Sequence, residues 1–189
     1  YIKKALLCLG AYESLMLFLY FWWEIVRTRK EIQEKEKLAT TDLLTGLKNR
    51  NAYEQTLKQY MNERPEPFSC VYADANGLHE LNNSQGHLAG DRMLQSVADA
   101  LTDAFDGEDV YRIGGDEFLV FTQTDEGTAA ERAAGAQDVV SEAGYHVSVG
   151  TAAGIKTATV AAIVKAAEQE MYEDKRRYYQ SHGDRRKMR

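Results

Sequence analysis

Two glycines followed by two adjacent acids, Gly114-Gly115-Asp116-Glu117, separate two short apolar runs at 110–113 and 118–121. Apolar runs of this length read as strands, and the Gly-Gly-Asp-Glu stretch reads as the tight turn that joins them. This stretch constrains the fold more than any other, because it demands an antiparallel pair with two carboxylates at its tip. Glycines supply left-handed backbone angles to such turns and leave bare backbone that a ligand can approach. Taken alone the motif is equally an ordinary hairpin with a solvated acidic tip, so the rest of the chain has to decide its meaning.

At 189 residues and 44% apolar content, the sequence has room for one ordinary domain with a core, plus an appendage. The net charge of −6, with no basic block through the middle, argues against a nucleic acid polymer as partner. Cys8 and Cys70 lie in different contexts and suggest neither a disulfide framework nor a zinc site, as suits a reducing compartment. The sequence begins at Tyr1 rather than Met, which reads as a piece of something longer.

Residues 5–26 form a nearly continuous apolar run, and a membrane-spanning helix needs about 20 such residues. Tyr20, Trp22 and Trp23 cluster near its end as an interfacial belt would, and Arg27, Arg29 and Lys30 follow. The run, with its short lead, reads as a transmembrane helix over 1–26, with the following chain on the cytoplasmic side of the inner membrane. Glu13 and Glu24 count against this, Glu13 most, because it would lie near the bilayer centre. The alternative is a buried or dimer-forming helix. Residues 27–41 are charged and helix-favouring, with Ile25, Ile32 and Ala39 at heptad spacing, so they read as a helical linker with coiled-coil character.

Beyond residue 42 strands and helices alternate. Helices are predicted over 51–61, 88–105, 128–143 and 159–179, and strands over 69–73 and 145–153, besides the hairpin. The order predicts an α+β fold: an antiparallel or mixed sheet with helices on one face. A basic tail, 183–189, closes the chain.

Asp74 directly follows the first core strand, and Ala75-Asn76-Gly77-Leu78-His79 reads as a turn with exposed backbone N–H groups. A strand-end carboxylate beside free amides suits a metal-bound phosphate. If Asp74 stands beside the hairpin tip, three carboxylates converge, Asp74, Asp116 and Glu117, and a divalent cation would relieve their repulsion. Equally, Asp74 alone could cap a turn. Asn82 offers a donor and an acceptor, while Asp91 offers acceptors only. Such a pair can read the edge of guanine; the same residues can also serve only to shape a loop and favour a helix start.

Several separated stretches, in order, resemble the GGDEF-domain diguanylate cyclases. Asp42-Leu43-Leu44-Thr45-Gly46-Leu47-Lys48-Asn49-Arg50 matches the family's opening pattern, and Asp74 through Asp91 matches its next segment. Arg112 to Phe118 matches the name-giving motif, Ser148-Val149-Gly150 its S-(I/V)-G strand, and Met171-Tyr172-Glu173-Asp174-Lys175 its M-Y-x-x-K helix. The resemblance covers about 40–181, with the domain proper at 42–182. It implies a palm-like fold, similar to ferredoxin and adenylyl cyclase, and condensation of two GTP into cyclic di-GMP and two pyrophosphates between two facing domains. It further implies catalytic roles for Asp116, Glu117 and Asp74. Mg²⁺, or Mn²⁺ in its place, would be held by Asp74, the Ala75 carbonyl, Asp116 and Glu117. Gly77, Leu78 and His79 would cradle phosphates, Gly114 and Gly115 would border the substrate, Asn82 and Asp91 would read guanine, and Lys175 would meet the terminal phosphates.

The sequence departs from the family pattern at several positions. His79 stands where a Lys is common, Asn76 replaces a second Asp, and Tyr179 stands where many members carry an Arg, with Arg176 and Arg177 as alternative cations. Phe105-Asp106-Gly107-Glu108 replaces the R-x-x-D product-inhibition site, so no inhibition is expected there. The competing expectation is a non-catalytic GTP-binding sensor. Use of ATP is disfavoured, because adenine N1 would meet the Asp91 carboxylate acceptor to acceptor.

Overall fold

The computed structural model describes the backbone of residues 2–154 and 158–181, and their side chains from Ser14 onward except 33, 34 and 37. The chain forms two compact units, Tyr1–Ala39 and Thr40–Arg189. The first consists of the helix α1 (Ile2–Thr40). Leu15 through Tyr20, Phe21 through Trp23, Ile25 and Ile32 are all exposed along it. Among the described residues no helix is long and apolar enough to cross a membrane. The first part of the predicted span, 5–13 with Glu13, lies outside the described side chains, as the tail 183–189 lies outside the described residues.

The second unit begins with a turn in which Asp42 accepts from the backbone N–H and hydroxyl of Thr45, at 2.9 and 2.7 Å. The turn leads into a two-residue strand, β1 (Lys48–Asn49). Helix α2 (Arg50–Asn62) follows, its start capped by the Asn49 side chain, which accepts from the N–H groups of Asn51 and Ala52. Then come β2 (Ser69–Ala75), α3 (Leu78–Gln85), α4 (His87–Ala104), β3 (Asp109–Arg112), β4 (Glu117–Thr122), α5 (Glu126–Glu142), β5 (Val147–Ala153) and α6 (Val160–Ser181).

The five strands lie in the order β1-β3-β4-β2-β5, with β1 parallel to β3 and the remaining pairs antiparallel. The mixed sheet and flanking helices form the expected palm-like α+β fold. The helices, however, cover both faces rather than one. Strand residues alternate between faces, and both sets are apolar here. Val71, Ala73, Phe118 and Val120 pack against α4 and α5, whereas Cys70, Tyr72, Leu119 and Phe121 pack against α2 and α6. A sheet apolar on both sides needs two helical layers to exclude water.

Two elements were not expected. Residues 78–85, read as turn and loop, form α3, and β1 is new. The polar composition of 78–85 gives it a weak apolar stripe, with no residue of α3 buried. Helix α6 is fixed to β5 by close approach: a Cβ at Gly150 would overlap the backbone of Met171 and Ala167. Asp174 and Glu170 then accept from the strand amides of Val149 and Thr151, at 3.1 and 2.5 Å.

Candidate active site

Antiparallel pairing of β2 with β4 sets Asp74 directly opposite Glu117. By the alternation above, both project on the same face as Tyr72 and Leu119, toward α6. Asp74 is only 6% exposed. Its Oδ1 accepts from Lys175 Nζ at 2.6 Å, delivered by the helix docked at Gly150. Burial pushes the Asp74 carboxyl up to about 6; Lys175 pulls it down, and the charges of Asp116 and Glu117 push it up again. The Tyr72 hydroxyl donates to Glu117 Oε1 at 2.9 Å. Burial, then that same bond, hold the Tyr72 hydroxyl well above its ordinary range.

Asp74, Glu117 and Lys175 line one cavity of about 410 Å³. Lys165, Glu168, Gln169, Tyr172 and Arg176 line its α6 side as well, with Tyr179 at its end. Sequence reasoning missed Lys165 and Tyr72; the recurrence of 165, 168, 169, 172, 175 and 176 at helical spacing was the available clue. Tyr179, at the family's Arg position, is buried. Of the two alternative cations, Arg176 borders the cavity, while Arg177 pairs with Asp174 at 3.2 Å.

The hairpin tip differs from expectation. Neither Gly114 nor Gly115 takes a left-handed angle; among the described residues the left-handed glycines are Gly46, Gly77, Gly86, Gly107 and Gly144. Gly114 matters for space instead, because a Cβ there would collide with Glu117 Oε2. The predicted meeting of three carboxylates is also incomplete. Among the described residues no three His, Cys, Asp or Glu side chains stand placed to hold a metal ion. Asp116 reaches β2 through its carbonyl, which accepts from the Ala75 N–H at 2.9 Å, and Lys175 and Tyr72 engage the carboxylates of Asp74 and Glu117. These are hard oxygen donors, and the charges of Asp116 and Glu117 add to the burial that pushes Asp74 toward protonation, so the set still fits a divalent cation in chemistry.

Gly77, left-handed at φ 80°, turns the chain from β2 into α3, so Leu78 and His79 begin a helix rather than continue a loop. First-turn N–H groups have no partner within their helix and favour phosphate. His79 is exposed, and its Nε2 lies 3.0 Å from Asn83 Nδ2. Asn76 is fixed beneath this turn, its side-chain amide donating to Ser148 Oγ at 2.7 Å. Asn82 is a residue of α3 and Asp91 of α4, beyond that helix's first turn. Gly90 brings the two helices together at this point, since a Cβ there would overlap Asn82. The Asn82 Oδ1 atom is buried without a hydrogen-bond partner.

The family pattern described as "Diguanylate cyclase, GGDEF domain" matches residues 39–180, most of the chain and all of the sheet. The chain belongs to the GGDEF domain family. Among relatives of this GGDEF domain, diguanylate cyclase DgcS of Shewanella oneidensis is 28% identical over 179 residues, covering 89% of this chain and 58% of that protein. Cyclic di-GMP phosphodiesterase PdeR of Escherichia coli is 34% identical over 110 residues, covering 57% of this chain and 17% of that protein. The chain thus spans well under two thirds of either relative. The coiled coil and GGDEF domain of DgcB from Caulobacter crescentus, solved with c-di-GMP, superposes with a TM-score of 0.72 at 22% identity. That similarity covers 81% of this chain and 89% of the DgcB chain and supports the fold of the GGDEF domain.

Proposed function

We propose that the chain is a diguanylate cyclase, condensing two GTP into cyclic di-GMP with release of two pyrophosphates. The observation that carries this is the buried Asp74 carboxylate, ion-paired to Lys175 in a cavity shared with Glu117. Each domain would hold one GTP, so two copies must face each other, and catalysis follows from their positioning.

The base is read by Asn82 and Asp91. The Asp91 carboxylate accepts from guanine N1–H and the exocyclic amine. Amides at the start of α3, around Gly77 to His79, and the bare turn at Gly114 and Gly115 border the phosphates. Lys175, with Arg176 beside it in the cavity, offsets charge on the terminal phosphates. Mg²⁺, or Mn²⁺ in its place, would be held by Asp74, the Ala75 carbonyl, Asp116 and Glu117. It supplies neutralisation of phosphate charge and a lowered pKa for the attacking hydroxyl. In each of two such transfers the 3′-oxygen of one GTP bonds to the α-phosphorus of the other, the α–β phosphoanhydride bond breaks, and pyrophosphate leaves with the electron pair. Glu117, oriented by Tyr72, accepts the hydroxyl proton.

A GTP-binding sensor without turnover is the second reading. It is favoured by the loss of the Arg at Tyr179, buried here. Incubating the dimer with GTP and Mg²⁺ and resolving the nucleotides by chromatography separates the two, since only the cyclase yields cyclic di-GMP. We further propose that residues 5–26 anchor the protein in the inner membrane, with the second unit cytoplasmic and 27–41 linking them. This rests on the apolar run and its basic flank. Recovery in a carbonate-washed membrane fraction tests it; release by carbonate contradicts it.

A further inference from the structure

Gly90 lies inside α4, where glycine weakens a helix relative to alanine. Its backbone is not left-handed, so conformational need does not explain it. Space does. A Cβ at Gly90 would overlap Asn82 Oδ1 and come within 2.9 Å of both Asn82 Cγ and Leu78 Cδ1. Real Cβ atoms do not approach so closely. The first obstacle is the far end of a side chain, which can swing away, rather than backbone. A methyl group here would leave the helices standing and displace the carboxamide. That carboxamide carries an acceptor which is buried and unpartnered in the free fold. An unmatched acceptor gains most from a ligand that brings a donor, and the exocyclic amine of guanine is such a donor.

We propose that Gly90 is a specificity-determining positioning residue. By lacking a side chain, it seats the Asn82 carboxamide where its oxygen meets the guanine amine. This rests on the reading of guanine by Asn82 proposed above. Gly90 touches no nucleotide itself and acts through Asn82.

The test compares binding of GTP and inosine triphosphate, which lacks that amine, to the wild-type protein, Gly90→Ala, Asn82→Ala and the double variant, by calorimetry. The wild type is expected to prefer GTP by about a hundredfold, because Asp91 and Asn82 each accept from that amine and one buried hydrogen bond is worth about tenfold. Gly90→Ala should lose about that tenfold for GTP while inosine triphosphate affinity stays nearly unchanged and thermal stability is not lowered. Because Asn82→Ala removes the nearest obstructing atoms and the carboxamide itself, leaving only the end of the Leu78 side chain to give way, adding Gly90→Ala to it should have no further effect on GTP. That double variant stays informative even if Gly90→Ala alone folds poorly. If the wild type prefers GTP and Gly90→Ala preserves that preference, or weakens both nucleotides equally, the role of Gly90 is overturned and the base reading stands. If the wild type does not distinguish the two nucleotides, the base reading itself fails and the role of Gly90 fails with it.

Discussion

Arg112 grips Asp42 with one guanidinium nitrogen, donating from Nη1 to both carboxylate oxygens at 3.0 and 3.2 Å. Its other terminal nitrogen donates to the Gly115 carbonyl at 2.7 Å. One side chain therefore ties the opening turn of the second unit to the tip of the hairpin. The pair is largely shielded, with side chains 13% and 24% exposed. Burial alone would raise the Asp42 carboxyl, but the bonds from Thr45 and Arg112 outweigh it and hold that carboxyl below its ordinary value.

Asp42→Ala should therefore destabilise the domain by about 2 kcal/mol, the worth of charge-assisted bonds lost from a part-buried site. A carboxyl depressed in the folded state contributes stability above its unfolded pKa, near 4, and loses it as pH falls through the lower folded value. Urea unfolding of wild type and variant should show a gap at pH 7 that closes below about pH 4. A gap independent of pH would remove the ion pair from the explanation.

Asp74 has the opposite sign. Its folded pKa, about 6, lies above the ordinary carboxylate value of 3.8, so ionising it in the free protein opposes folding. Stability from this group is present below the unfolded pKa and is lost as pH rises through the folded one. The shift corresponds to about 3 kcal/mol at pH 8. Asp74→Asn should raise the melting temperature of nucleotide-free protein at pH 8, with little effect at pH 4, and should abolish product formation. Added Mg²⁺ with GTP should stabilise the wild type and not the variant. A variant less stable than wild type at pH 8 would contradict the reading.

Gly150→Ala tests how α6 is docked. Its Cβ would strike backbone of Met171 and Ala167 and stand 2.8 Å from the Glu170 carbonyl carbon. Backbone cannot swing aside, so helix and strand must separate. The expected loss exceeds about 3 kcal/mol, a fall of about 10 °C in melting temperature by calorimetry. A change under about 2 °C would show that the helix is not seated as described.

Tyr72→Phe removes a single bond, the one to Glu117. Since Tyr72 acts through that carboxylate, kcat should fall by about tenfold while GTP affinity stays within about twofold. Steady-state kinetics with equilibrium binding measure both. Equal loss in both would assign Tyr72 to general packing instead.

Much of this was legible in the chain. The strands at 110–113 and 118–121 and the long helices at 88–105 and 159–179 follow from apolar periodicity, and each appears within a few residues of its predicted bounds. The juxtaposition of Asp74 and Glu117 followed from placing two strand ends together. Helix α3 was not legible, because only Leu78 and Leu81 in it are apolar and no residue of it is fully buried. The second helical layer was missed because the turns between elements give no hint of which face each helix covers. The role of the glycines was misread at Gly114: sequence shows that glycine is needed but not whether angle or space requires it. Lys165 and Tyr72 were overlooked because they belong to a helix face and a strand face that only acquire meaning once α6 is laid across β2.

The central claim is that this site makes a bond between two nucleotides. The most direct measurement is chromatography of the products after purified dimer is incubated with GTP and Mg²⁺, beside an Asp116→Ala control. Cyclic di-GMP and pyrophosphate should appear in a 1:2 ratio with the wild type and be absent from the control. GTP bound or hydrolysed without any cyclic dinucleotide would contradict the account.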